Sequence, residues 1–160
     1  EEVMRVLPHS RHNFIVRAEA AELFKYAHNI NGFMRVVFSN LLHNVADKVG
    51  VDWADVKMIM DNDPMMSPYY NSPVHKGGRG AGGHCFIKDM AAFSKLYAEL
   101  CPSDIKGIEV FKTLESKNLE LLASTGKNQD DLAVREFYHL PSAGRLPHHR
   151  GSRAKAFRTG

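Results

Sequence analysis

The sequence predicts an all-α fold. Apolar residues recur every three or four positions over 17–49, 86–100 and 105–123, which is the period of one helical face. No stretch alternates apolar and polar residues over the length of a strand. Glycine and proline crowd instead between positions 61 and 83, where they break the helical pattern.

Each element follows in order. Residues 1–16, with Pro8, His9, Ser10 and Asn13, read as a connector. Over 17–49, Leu23, Ala27, Ile30, Met34, Val37, Leu41 and Val45 form a stripe that Phe24, Phe38, Leu42 and Val49 widen to roughly 140°. A helix of roughly 45–50 Å with so wide a stripe predicts burial by several neighbours, a second subunit among them. Gly50 is the expected stop and Asp52 the cap of a helix over 53–60 that directs Val56, Ile59 and Met60 to the core. Residues 61–83 are expected to form a long loop, uncommon unless it has a task. Helices over 86–100, ended by Pro102, and over 105–123 complete a helical domain at 17–125. Residues 126–160 read as a poorly structured basic tail.

Composition narrows the function classes. The chain has 160 residues, 44% of them hydrophobic and 24% charged, which is globular and large enough to need no staple. Five of its 21 basic side chains, Arg145, Arg150, Arg153, Lys155 and Arg158, follow His139, and no acidic one does. The body therefore carries a slight negative excess, which argues against a nucleic-acid-binding face. There is no apolar run of membrane-spanning length and no secretory signal. Two cysteines, Cys85 and Cys101, predict a reduced, cytoplasmic protein without a disulfide framework. Glu1 rather than Met opens the chain, so an excerpt of something longer is expected.

Two constellations can carry chemistry. Gly80-Ala81-Gly82-Gly83-His84-Cys85-Phe86-Ile87-Lys88-Asp89 delivers a thiol to a helix start, where free N–H groups favour a thiolate nucleophile. Lys88 and Asp89 lie one turn further on. The alternative is a buried cysteine behind a flexible loop. The second pair, Lys25 and Asn29, stands at i and i+4 on the long helix, away from the stripe and beside Gly32. Together they can donate to a developing oxyanion; the alternative is a solvated helix face. Gly78 to Gly83 matches a dinucleotide fingerprint formally, but no strand precedes it. His139, His148 and His149 lack metal-site spacing, and no metal is expected.

Ala21-Glu22-Leu23-Phe24-Lys25-Tyr26-Ala27-His28-Asn29, the Gly80–Asp89 motif whose Cys85 stands 56 positions after Asn29, and Leu114-Glu115-Ser116-Lys117-Asn118-Leu119-Glu120-Leu121-Leu122 together resemble the central domain of the UDP-glucose/GDP-mannose dehydrogenases over residues 16 to 125. The resemblance implies a helical dimerisation domain like the C-terminal helical domain of 6-phosphogluconate dehydrogenases. It also implies NAD-dependent oxidation of the C6 alcohol of a nucleotide sugar to a uronate, as in polysaccharide biosynthesis. In that reading Cys85 forms the thioester, Lys25 and Asn29 stabilise oxyanions and hold water, and Asp89 assists proton transfer. Gly80, Gly82, Gly83 and Lys88 would lie against the substrate.

Ile87 and Ala81 depart from the family pattern, which has Pro and an aromatic residue there; Ala81 is expected to loosen the pocket. The dinucleotide-binding and C-terminal nucleotide-binding domains are absent from this sequence, so the chain alone is expected to dimerise through its long helix without turning over. Two rivals remain. One is the helical domain of a β-hydroxyacid dehydrogenase, which shares a Lys-x-x-x-Asn pair but makes no thioester. The other is a non-catalytic oligomerisation module.

Overall fold

A computed structural model describes Val6 and residues 14–126. Most of the expected connector and the tail from 127 onward, with His139, His148 and His149, lie outside the described residues. Among the described residues there are four helices and no named strand: α1 (Ala18–Val49), α2 (Trp53–Asn62), α3 (His84–Leu100) and α4 (Ile105–Ser124). The boundaries follow local chemistry. Gly50 ends α1 in the left-handed region, φ 72°, and returns its N–H to Ala46 O. Asp52 caps α2 by accepting from Ala54 N at 2.8 Å, and Asp104 caps α4 by accepting from Gly107 N at 2.9 Å. Helix α2 runs two residues beyond the expected 60, and α3 begins at His84 rather than 86, which takes Cys85 into its first turn.

Helix α1 is the spine. Ile30, Phe33, Val36 and Val37 pack with Phe86 and Met90 of α3, Leu121 of α4 and Ala81 of the loop. The expected single stripe is therefore corrected. Leu23, Met34, Phe38, Leu41, Val45 and Val49 are exposed, and their centre lies about 110° round the helix from the buried face at 100° per residue. Periodicity alone merges two apolar faces that the tertiary fold separates. Ile59, expected in the core, is likewise exposed, because α2 turns only Met60 fully inward.

The loop over 63–83 contains more order than its composition implies. Val74 and Arg79 form an antiparallel bridge, His75 N donates to Gly78 O at 2.9 Å, and Gly80 N donates to Pro73 O at 3.2 Å. Lys76 and Gly77 form the tip, with φ of 56° and 85°. The Arg79 guanidinium pins this small hairpin to α1 through Asn40 Oδ1 and Asn44 Oδ1, both at 2.7 Å. Asn40, fully buried, also donates to Pro73 O at 2.8 Å.

Gly32 has a packing reason. A Cβ there would stand 2.5 Å from Phe86 Cζ and 3.2 Å from Tyr70 Cδ2. Phe86 cannot easily swing away, since Tyr70 and His75 also pack against its ring. In an open helix Gly32→Ala would gain about 1 kcal/mol. Here overpacking on the order of 1–3 kcal/mol outweighs that gain, so Gly32→Ala should lower the urea midpoint; a raised midpoint would contradict this packing.

Candidate functional site

The site forms where the glycine loop enters α3. Gly80 has φ 83° and Gly83 has φ 89°, conformations that L side chains rarely adopt. Between them Ala81 is held from both sides by Asn118 of α4. Asn118 Oδ1 accepts from Ala81 N at 2.6 Å, and its Nδ2 donates to Ala81 O at 3.1 Å. Sequence reasoning placed Asn118 in a family-like run but gave it no role. Its contact spans 37 positions, and no local pattern encodes such a distance. Ala81 itself lies fully buried and packs with the core of α1, α3 and α4.

The loop sets the thiol in the first turn of α3. Cys85 is free and exposed, and the N-cap Gly83 offers no side-chain oxygen to the helix start. Asp89 lies four residues on, so it shares the thiol's face of the helix about 6 Å along the axis. Its carboxylate is nearly buried, with only 3% of the side chain exposed. Asn29 Nδ2 donates to Asp89 Oδ2 at 2.5 Å, and Lys25 Nζ lies 3.8 Å from the same oxygen. Lys88 Nζ meets Asp89 Oδ1 at 3.0 Å. The structure thus brings Lys25, Asn29, Lys88 and Asp89 together directly, and helix geometry sets Cys85 one turn away. Asn29 faces Asp89 rather than solvent, whereas the side chains of Lys25 and Lys88 remain about half exposed. Gly80 and Gly82 are buried and Gly83 half-buried, so their backbone shapes the approach to Cys85.

Two opposing influences act on Asp89. Burial, the largest, pushes its pKa up. Hydrogen bonds from Lys88 and Asn29, with the charges of Lys88 and Lys25, outweigh burial and hold the carboxyl below its ordinary value. The resting residue is therefore an anion that balances one of two ammonium groups. Lys88 is raised in turn, chiefly by its hydrogen bond to Asp89 and by that charge, with smaller contributions from Cys85 and Tyr26.

A folded-state value below the unfolded one stabilises the protein above the ordinary carboxylate range, and that stability is lost as pH falls through the folded value. Asp89→Asn should therefore cost on the order of 1–3 kcal/mol at pH 7. The difference should shrink as pH falls below about 4. Urea unfolding at pH 7 and pH 3 measures both; a gap that is the same at the two values would rule out the ionised pair as its source.

The Gly78–Gly83 run does not have the setting of a dinucleotide fingerprint. Residues 73–80 close a hairpin before α3, where a parallel strand would have to stand. No helix among them is long and apolar enough to cross a membrane.

Comparisons with known proteins agree with this arrangement. The family model for the central domain of the UDP-glucose/GDP-mannose dehydrogenase family matches residues 19–118. The chain is 38% identical over 76 residues to a GDP-mannose 6-dehydrogenase of Azotobacter vinelandii, covering 46% of this chain and 16% of that protein. It is 36% identical over 84 residues to the GDP-mannose 6-dehydrogenase of Pseudomonas putida, covering 51% and 18% respectively. To the UDP-glucose 6-dehydrogenase YwqF of Bacillus subtilis it is 35% identical over 77 residues, covering 48% and 17%. The matched region spans under a fifth of each of these relatives. No solved structure matches at a significant level. On the family model's match across 19–118, which includes both the Lys25–Asn29 pair and the Cys85 loop, the chain belongs to the UDP-glucose/GDP-mannose dehydrogenase family, as its central domain.

Proposed function

We propose that this domain supplies the thiol and the oxyanion-stabilising groups of an NAD-dependent nucleotide-sugar 6-dehydrogenase acting on GDP-mannose or UDP-glucose. The observation that supports it most is Asp89, which ties Lys25 and Asn29 of α1 to the face of α3 that carries Cys85. Once the C6 alcohol has lost a proton and a first hydride to become the aldehyde, the Cys85 thiolate adds to its carbonyl carbon. Lys25 and the Asn29 amide steady the negative oxygen of that adduct, in a site that Asp89 alone does not neutralise. Once a hydride has left, the carbon is held as a thioester, which water hydrolyses to the uronate and the free thiol. Asp89 keeps Lys25, Lys88 and Asn29 in place and accepts a proton from the hydrolytic water only if one of its ammonium partners moves away. NAD supplies the hydride acceptor in this reading, bound mainly by a further domain.

The exposed apolar face of α1 supports a homodimer through the long helix. Phe38, Leu41 and Val45 occupy consecutive turns there, and burying them requires a second surface. Both cysteines are free, which fits a reducing, cytoplasmic setting.

In the complete dehydrogenase, Cys85→Ser should reduce NADH formation by about 10³-fold or more while the dimer persists in analytical ultracentrifugation. Lys25→Met should lower kcat by about 10²–10³-fold. Undiminished turnover in Cys85→Ser would sink the thioester chemistry and leave the oligomerisation module as the better account.

A further inference from the structure

We propose that Asn118 is a positioning residue for the Cys85 nucleophile: from α4 its side-chain amide fixes both backbone groups of Ala81 and so sets where α3 begins. The inference rests on the thioester reading above and adds to it a residue that acts through the loop rather than on the sugar.

The turn that bears the thiol has little of its own to hold it. Cys85 is exposed, and the N-cap of α3 is Gly83, which has no side chain to bond the first turn. Gly82 and Gly83 separate that turn from Ala81, and glycine leaves the backbone its widest choice of angles. The turn is therefore fixed by its flanks. After the thiol, Phe86 is wedged against Gly32, Tyr70 and His75. Before it, the anchor is Ala81, four residues ahead of Cys85.

Asn118 is what anchors Ala81. Its Oδ1 accepts from Ala81 N at 2.6 Å and its Nδ2 donates to Ala81 O at 3.1 Å. Both residues are buried, so neither can exchange this pairing for water. The contact is steric as well. A Cβ on Gly80 would stand 2.9 Å from Asn118 Oδ1 and 3.0 Å from Leu121 Cβ, so the loop backbone lies against α4. One hydrogen bond would leave Ala81 free to pivot. Two, to its N–H and its carbonyl, fix its direction as well as its place.

The pairing demands an amide. One atom must accept while its neighbour donates. A carboxylate offers only acceptors and would set an oxygen against Ala81 O; a carboxylic acid restores the donor. Alanine would leave both groups of Ala81 unpaired. Through this pair α4 enters a site whose other groups stand on α1 and α3. Reaction rates are sensitive to such placement, since a 1 Å displacement costs on the order of 10²-fold. The step that depends on it is addition of the thiolate to the aldehyde. The first hydride transfer, from the alcohol, needs no thiol.

The test uses the complete dehydrogenase with GDP-mannose or UDP-glucose in single turnover, where the two hydride transfers appear as two phases of NADH formation. Asn118→Ala should slow the second phase by about 10–10²-fold and the first by less than about threefold. Phe111→Leu is the stability control, on the same helix but packed on Phe93 and Tyr97 toward the other end of α3. With a comparable fall in melting temperature it should leave the ratio of the two phases unchanged. Asn118→Asp keeps the size of the side chain and should fold even where Asn118→Ala does not. Its second phase, relative to the parent enzyme at the same pH, should recover about tenfold between about pH 9 and about pH 6, as the buried carboxyl takes up a proton. A parental second phase in Asn118→Ala, or equal slowing of that phase in Phe111→Leu, would overturn the inference while leaving the thioester reading intact. A pH-independent ratio in Asn118→Asp would overturn it likewise. A fast second phase in Cys85→Ser would overturn the thioester reading and this inference together.

Discussion

One nearly buried carboxylate couples the two helices that carry the reactive groups. Asp89 is buried on α3, and an unpaired anion at that depth would be costly. Asn29 and Lys25 of α1, with Lys88 beside it, provide its partners. The register between α1 and α3 is therefore set by charge as well as by shape. The same contact decides the distance from the thiol face of α3 to the donors on α1. Sliding either helix by a turn would strip Asp89 of its α1 partners and take Cys85 away from Lys25 and Asn29.

Apolar packing enforces that register. Gly32 lets the Phe86 ring approach α1 closely, and Phe86 is the residue after Cys85. Asn118 then fixes the loop from the far side by satisfying both backbone groups of Ala81. A Cβ on Gly80 would press on Asn118 Oδ1 at 2.9 Å and on Leu121 Cβ at 3.0 Å. The glycines of the loop are thus divided between tasks. Gly80 permits close packing on α4 in a left-handed conformation, and Gly83 permits the turn into the helix. Neither task is flexibility.

The departures from local preference lie where the chain meets its surroundings. The outer face of α1 is apolar and open, which an isolated soluble helix would not favour. Lys76 sits in a turn that prefers glycine. The core, by contrast, obeys the usual rules, with Phe33, Val36 and Met90 fully buried. Natural sequences tend to break local rules at functional positions, where strain and exposure serve something other than stability.

Helix number, order and approximate ends were legible in the sequence, because period, capping residues and glycine stops are local signals. Asp52, Gly50 and Pro102 act within a few positions of themselves. The Lys25–Asn29 pair and the Cys85 loop were legible as motifs for the same reason. Which side of α1 faces inward was not, since Ile30 and Val37 share one broad apolar arc with Met34 and Leu41 and only α3 and α4 choose between them. Asn118, Arg79 and the strained Lys76 were equally hidden. Their partners lie 37 and 39 positions away for the first two, and the backbone angle of the third depends on a hairpin closed by Pro73 and Gly80. Periodicity and capping act over a turn or two of chain, so the sequence by itself determined the elements and the reactive residue types. Long-range contact alone decided which of those residues meet.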